Sequence, residues 1–315
     1  MGFEIIVEEA LNFSIITLIN TDTKHEAEIY SFGALLNAFR FPFENSIINV
    51  VDGFSSPQDA KQNIAPFFRG AKLSPFVCRM KNGTYHFHGK DFKIEKFYLK
   101  EHALHALMYD AVFEIKRSTT DQESASVVLF HHYDGSDNGF PFEFDMEVEW
   151  KLSEGNMLTC KTTVSHTNPF AIPYAEGWHP YFSLDTSVDE CYLQFDSKQM
   201  VEFDDTLIPT GNLVADERFN TKHYMKDVKL DNCFVLDQSS SQPKIVLSSD
   251  KLKLTILPED SYPYLQVYTP DDRKSIALEN LSGIPDCFNN GIGLKMIEPN
   301  ETASFTTHYI PSIIN

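Results

Sequence analysis

Long apolar runs are missing from this 315-residue chain, and so is any excess of positive charge. No stretch approaches the ~18 apolar residues needed to span a bilayer, so no membrane segment is expected. With 26 Lys and Arg against 45 Asp and Glu, the formal net charge is −19. Such a surface repels phosphate polyanions, which excludes nucleic acid and anionic membranes as expected partners. The N-terminus carries no basic region leading into an apolar stretch, so no signal peptide is read. Gly2 is followed by Ile6 where a myristoylation signal wants Ser or Thr. The five cysteines, Cys78, Cys160, Cys191, Cys233 and Cys287, are odd in number, and none forms C-x-x-C. Neither a disulfide framework nor a zinc ribbon is indicated. The sequons at Asn82 and Asn300 carry little weight without a secretory signal, and a cytoplasmic protein with reduced thiols is expected. G-x-x-x-x-G-K-S/T, G-x-G-x-x-G and G-x-S-x-G are all absent, leaving phosphate cradles and hydrolase elbows without support.

Helical periodicity is scarce as well. Pro57–Ile64 could make one or two turns, and Glu101–Tyr109 fits helix or strand equally. What dominates is a period of two. From Phe142 to Leu152 every second residue is apolar and the residues between are charged, which buries one face of a strand and solvates the other. Ser153-Glu154-Gly155-Asn156 reads as a turn, and Leu158, Cys160, Thr162 and Val164 complete a hairpin. Related runs recur at Glu4–Val7, Phe13–Leu18, Lys251–Leu257 and Tyr264–Tyr268, with turn clusters such as Asp134–Gly139 between them. Strands without a βαβ rhythm predict an all-β fold, a large antiparallel sandwich with few short helices. No linker, low-complexity tract or repeat divides the chain, so a single domain over residues 1–315 is expected. Hydrophobic residues at 42 % and a length near 300 are enough for a core that needs no metal or disulfide.

Two segments could carry chemistry. In Glu176-Gly177-Trp178-His179-Pro180-Tyr181-Phe182, a His lies between aromatic neighbours, and an aromatic wall suits the apolar face of a sugar ring. On composition alone, a core His bonded to a backbone carbonyl is favoured over a functional one. In Ser275–Leu281, Glu279 ends an apolar strand and is either a surface charge or a carboxylate aimed into a cleft. Other clusters read as structural. His86 and His88 share a strand face but lack a third ligand, so no metal is expected. His131 and His132 point to opposite faces.

Trp178-His179-Pro180-Tyr181-Phe182, preceded by Asn168-Pro169 and Pro173, resembles the galactose mutarotase (aldose 1-epimerase) superfamily, whose H-P-Y-F segment carries a catalytic His. Leu278-Glu279-Asn280 followed by Pro285–Asn289 is similar to the segment with the family's catalytic Glu. Pro209-Thr210-Gly211, Leu230–Phe234, Gly33-Ala34-Leu35 and Arg79–Tyr85 resemble further family segments in the correct order. The resemblance implies a β-supersandwich, a catalytic pair of His179 and Glu279, and substrate contacts from Arg79, His105 and Asp231. Trp178 joins the substrate-binding set as the expected aromatic wall.

The departures are specific. Ala106 stands where a glycine is expected after the substrate-binding His, and alanine takes a positive φ only at a cost. His88-Gly89 competes with His105 by spelling. E-T-Q is Glu-Asn-Leu here, and R-x-x-N-R-I is reduced to one Arg. The resemblance implies interconversion of the α and β anomers of a free aldohexose, with Glu279 as base and His179 as acid, and no cofactor. Alternatives are a hexose-6-phosphate mutarotase, a non-catalytic sugar-binding protein on the same fold, and a glycoside hydrolase or lyase, which would need a second carboxylate. A monosaccharide is the expected partner, for a monomer or homodimer.

Overall fold

The computed structural model describes residues 2–239 and 242–314. Strands paired antiparallel account for most of it, and the two α-helices among the described residues are Pro57–Phe67 and the single turn Cys287–Asn290. The alternation read at 142–152 becomes the strand Phe144–Ser153, with buried Phe144, Met146, Val148, Trp150 and Leu152. It pairs in register with Met157–Ser165 across the turn at Gly155, completing the expected hairpin.

Two large sheets form the sandwich. A nine-stranded sheet runs, in spatial order, Glu114–Thr120, Ser124–Tyr133, Phe144–Ser153, Met157–Ser165, Thr302–Ile313, Leu252–Pro258, Ile245–Ser248, Tyr192–Phe195 and His223–Tyr224. The eight-stranded sheet includes Asp231–Leu236, Tyr264–Tyr268, Ile276–Leu281, Gly177–His179 and the edge strand Ala71–Leu73 in succession, with Tyr181–Phe182 also on Ile276–Leu281. An N-terminal five-stranded meander, Phe3 to Asn49, joins the same core.

Between the two large sheets Trp150 meets Trp178 at 5.6 Å and Phe182 meets Tyr309 at 5.7 Å between ring centroids. Aromatic rings of this size supply much of the buried apolar area. The same interior holds polar links: Asn280 Nδ2 donates to Thr307 Oγ1 at 2.8 Å, and Lys72 Nζ donates to Thr162 Oγ1 at 3.0 Å. Since Trp178, Lys72 and Asn280 face inward, strand alternation sends their neighbours His179 and Glu279 to the other face. The 101–109 segment resolves as a short strand, His102–Leu104, followed by a tight turn. No helix among the described residues is long and apolar enough to cross a membrane.

Candidate active site

A cleft with a volume of about 490 Å³ opens on that other face of the eight-stranded sheet. Four successive strands supply its floor: Asp231, Gln266, Glu279 and His179 each come from one of them. Gln266 is opposite Glu279 in the ladder, and Asp231 is opposite Tyr268. The His179 strand meets Ile276–Leu281 only at Gly177. A Cβ at Gly177 would lie 2.5 Å from Leu281 Cδ2 and 2.7 Å from Asn280 O, so glycine is required for this close approach.

Arg79 and His105 enter from a small sheet, in which Arg79 pairs with Leu104. The following turn is held by His105 N–H donating to Cys78 O and Leu107 N–H donating to Ser74 O, both at 2.9 Å. These bonds force His105 (φ 58°) and Ala106 (φ 61°) into the left-handed region. The backbone expected for a glycine is thus kept by alanine, at a conformational cost of roughly 1–2 kcal/mol. Cys78 (φ 48°) and Phe68 (φ 53°), which also line the cleft, are left-handed too. Backbone strain of this kind concentrates where a fold over-determines a site.

His179 Nε2 lies 3.3 Å from Glu279 Oε1. The His105 ring packs edge-on to His179 at 4.8 Å, and Phe68 packs on His105 at 4.5 Å. Gln266 Nε2 donates to Asp231 Oδ1 at 2.7 Å. Burial pushes Glu279 well above the usual carboxylate range, and the Asp231 charge adds to this; Arg79 and the Cys78 thiol oppose it. Burial holds the His179 imidazole down to about 4 and pushes His105 lower than an ordinary imidazole, with His179 and Arg79 adding to the effect. Asp231 is raised by burial against the pull of Arg79. Neither member of the Glu279–His179 pair is favoured in its charged form. At 3.3 Å from each other they stand as a candidate acid and base suited to moving protons on a ligand.

His179, Glu279, Arg79, His105 and Asp231 all line the cleft. Trp178 does not, which corrects the expectation of an aromatic wall there. Adjacent strand residues face opposite sides, so a strand that aims His179 outward buries Trp178 in the sandwich, with Lys72 Nζ 4.3 Å from its ring centroid. Tyr181, its ring 5.0 Å from that of His179, lines the cleft instead. His88 is exposed on a turn outside it. Sequence reasoning missed Gln266 and Cys78. The signal for Gln266 was a polar residue in mid-strand, facing the same side as Tyr264 and Tyr268; nothing in the sequence put it opposite Glu279. Gln266 Oε1 and His105 Nδ1 are buried without a partner among the described residues. Among the described residues no three His, Cys, Asp or Glu are grouped to hold a metal.

Similarity to known proteins bears on the family and the fold. Residues 14–310 match the family described as aldose 1-epimerase. The chain is 26 % identical over 239 residues to the uncharacterized protein YihR of Escherichia coli, covering 73 % of this chain and 74 % of that one. Its fold is similar to a galactose 1-epimerase from Lactobacillus acidophilus (TM-score 0.84, 18 % identity, 99 % of each chain). A galactose mutarotase-like protein from Clostridium acetobutylicum is comparable (TM-score 0.86, 17 % identity, 99 % of each chain). With the family match running over nearly the whole sequence and the same supersandwich beneath it, the chain belongs to the aldose 1-epimerase family.

Proposed function

We propose that the protein is an aldose 1-epimerase that interconverts the anomers of a free, uncharged aldohexose. The carrying observation is the isolated Glu279–His179 pair, 3.3 Å apart on the cleft floor, with Arg79, His105, Asp231 and Gln266 around it. With the proton on His179, the Glu279 carboxylate takes the proton of the anomeric O1 hydroxyl while the imidazolium gives its proton to the ring oxygen O5. The C1–O5 bond breaks and O1 becomes the aldehyde oxygen. Rotation about C1–C2 presents the other carbonyl face, and the same two transfers run backwards to close the ring. The pair ends with the one proton it began with.

Without sugar, burial favours the neutral forms of both groups, with the proton on Glu279. Moving it to His179 requires compensation for the charge created. Arg79 supplies part of this, because its guanidinium favours the Glu279 carboxylate; the sugar O1–H and O5 supply the rest by bonding to the charged forms. Asp231, with Gln266 donating to it, is suited to accept sugar hydroxyls, and Tyr181 and Phe68 offer apolar faces to the ring.

The charge balance of the cleft supports an uncharged substrate. Arg69 and Arg79 share it with Asp231, Asp271, Asp272 and Glu279, and Arg69 is drawn to Asp52 at 3.5 Å. A phosphate would want clustered, uncommitted cations. Polarimetry on fresh α-glucose and α-galactose, beside their 6-phosphates, tests both points. Faster mutarotation than buffer, with the higher kcat/KM for the free sugars, is expected. A higher kcat/KM for a phosphate would move the proposal to the phosphorylated class, and no acceleration of any sugar would leave a binding protein.

A further inference from the structure

Glu279 is bonded very sparingly for a buried carboxylate. Its Oε1 faces His179, and its Oε2 meets only one donor among the described residues, the Cys78 thiol at 3.8 Å. Cys78 is buried, and it is the one cysteine of the five that lines the cleft. Its left-handed backbone is costly for any residue with a Cβ. It is fixed from both sides, by His105 N–H on Cys78 O and by Asp286 N–H on Arg79 O at 2.7 Å. The chain therefore accepts strain at the one point that turns this thiol onto the carboxylate.

We infer that Cys78 is a positioning residue for Glu279, its S–H holding Oε2 so that Oε1 is left to His179 and to the anomeric hydroxyl. This rests on the proposed role of Glu279 as the reacting carboxylate. A thiol is a weak donor. It orients the carboxylate while stabilising its charge less than an amide or hydroxyl would, which preserves the carboxylate's affinity for the anomeric proton. The other titratable groups facing Glu279 come from every side: His179 and Tyr181, Asp231 and Cys233 on the Asp231–Leu236 strand, and Arg79. None of these donates to Oε2.

Two substitutions separate this role from space filling. Cys78→Ala keeps a Cβ on the same backbone but removes the donor. Cys78→Asn supplies a stronger donor on a side chain that tolerates positive φ. For Cys78→Ala, kcat is expected to fall by about threefold to tenfold with KM within about twofold of the wild type. The alkaline limb of its pH profile should move to higher pH, since the carboxylate has lost a stabilising bond. Cys78→Asn should restore kcat and move that limb back to or below its original place. Unchanged kcat and limb in Cys78→Ala, or Asn shifting the limb in the same direction as Ala, would overturn the inference. A readout without turnover uses iodoacetamide at a pH above the alkaline limb, where Glu279 has given up its proton, with modified Cys78 followed by peptide mass. Glu279→Gln removes the negative charge beside the thiol, so alkylation should quicken by about tenfold, the value of one pKa unit. Equal alkylation rates would overturn the contact. A wild-type protein without mutarotase activity would instead remove the proposed function and leave alkylation to decide the contact.

Discussion

Two carboxylates, Glu176 and Glu279, are both shut away from water, and burial raises both above the usual carboxylate range. Their surroundings differ completely. Glu176 lies between the sheets, where Lys72 and Tyr262 donate to its two oxygens and Lys72 is further held by Thr162 and the Trp178 ring. Its own backbone N–H donates to Ser282 Oγ at 2.8 Å. Glu279, on the strand Ile276–Leu281, has an imidazole, a thiol and a cavity. One carboxylate has its partners built in, while the other is left with bonding capacity for something that is not protein. Burial with saturation makes an anchor; burial without it makes a reactive group.

The comparison breaks first at Lys72. Lys72→Met leaves Glu176 buried without its counter-charge, and removing one partner of a buried pair costs roughly 3–5 kcal/mol. Urea unfolding should show that loss, while the protein that remains folded keeps its turnover per molecule. The double variant Lys72→Met/Glu176→Leu should recover most of the stability, since an apolar replacement of a whole buried pair is often near neutral. A loss below about 1 kcal/mol in the single variant would mean that Glu176 is not anchored by this lysine.

The pH dependence sharpens the other side. His179, held down to about 4 by burial, takes a second proton onto the pair only in acid. Glu279, held high, gives up the last one only in alkali. The free-protein kcat/KM should therefore be flat from just above pH 4 through neutrality, falling above the raised pKa of Glu279. Both limbs belong to the pair rather than to either residue. An acid limb between pH 6 and 7, where an ordinary histidine titrates, would contradict a His179 held low by burial.

The smallest effect is at the turn that presents His105. Ala106→Gly relieves the left-handed strain of roughly 1–2 kcal/mol but adds unfolded-chain freedom of about 0.4–1 kcal/mol. A gain of about 0.5–1 kcal/mol in unfolding free energy is expected from the difference. A loss of stability would show that the buried methyl of Ala106 contributes more than its backbone costs.

Much of this was legible in the sequence, for reasons that also explain the failures. Period-two patterning reports burial directly, so the Phe144–Ser165 hairpin and the all-β architecture could be read without any structure. The order of short motifs identified His179, Glu279, Arg79, His105 and Asp231, all of which line one cleft. Trp178 failed because parity on a strand was not applied to its own neighbour: a strand that offers His179 to the cleft cannot offer Trp178 as well. Gln266, Cys78 and the Lys72–Glu176 pair were out of reach because each depends on register between distant segments. Lys72 meets Glu176 across 104 residues and Cys78 meets Glu279 across 201, and nothing local in the chain encodes those pairings.

Glu279→Gln tests the contrast between the two carboxylates most directly, with mutarotation followed by polarimetry and thermal unfolding measured on the same sample. A raised carboxylate pKa means that the folded protein holds a proton which the unfolded chain releases. Stability is therefore lost as pH rises from the unfolded value toward the folded one, and a neutral Gln removes that penalty. At pH 7 to 8 the variant should keep or raise its Tm, bind sugar within about tenfold of the wild type, and lose about 10²- to 10⁴-fold in kcat. Wild-type turnover in a folded Glu279→Gln protein, or a Tm that falls sharply with little change in kcat, would show that Glu279 is a structural carboxylate like Glu176.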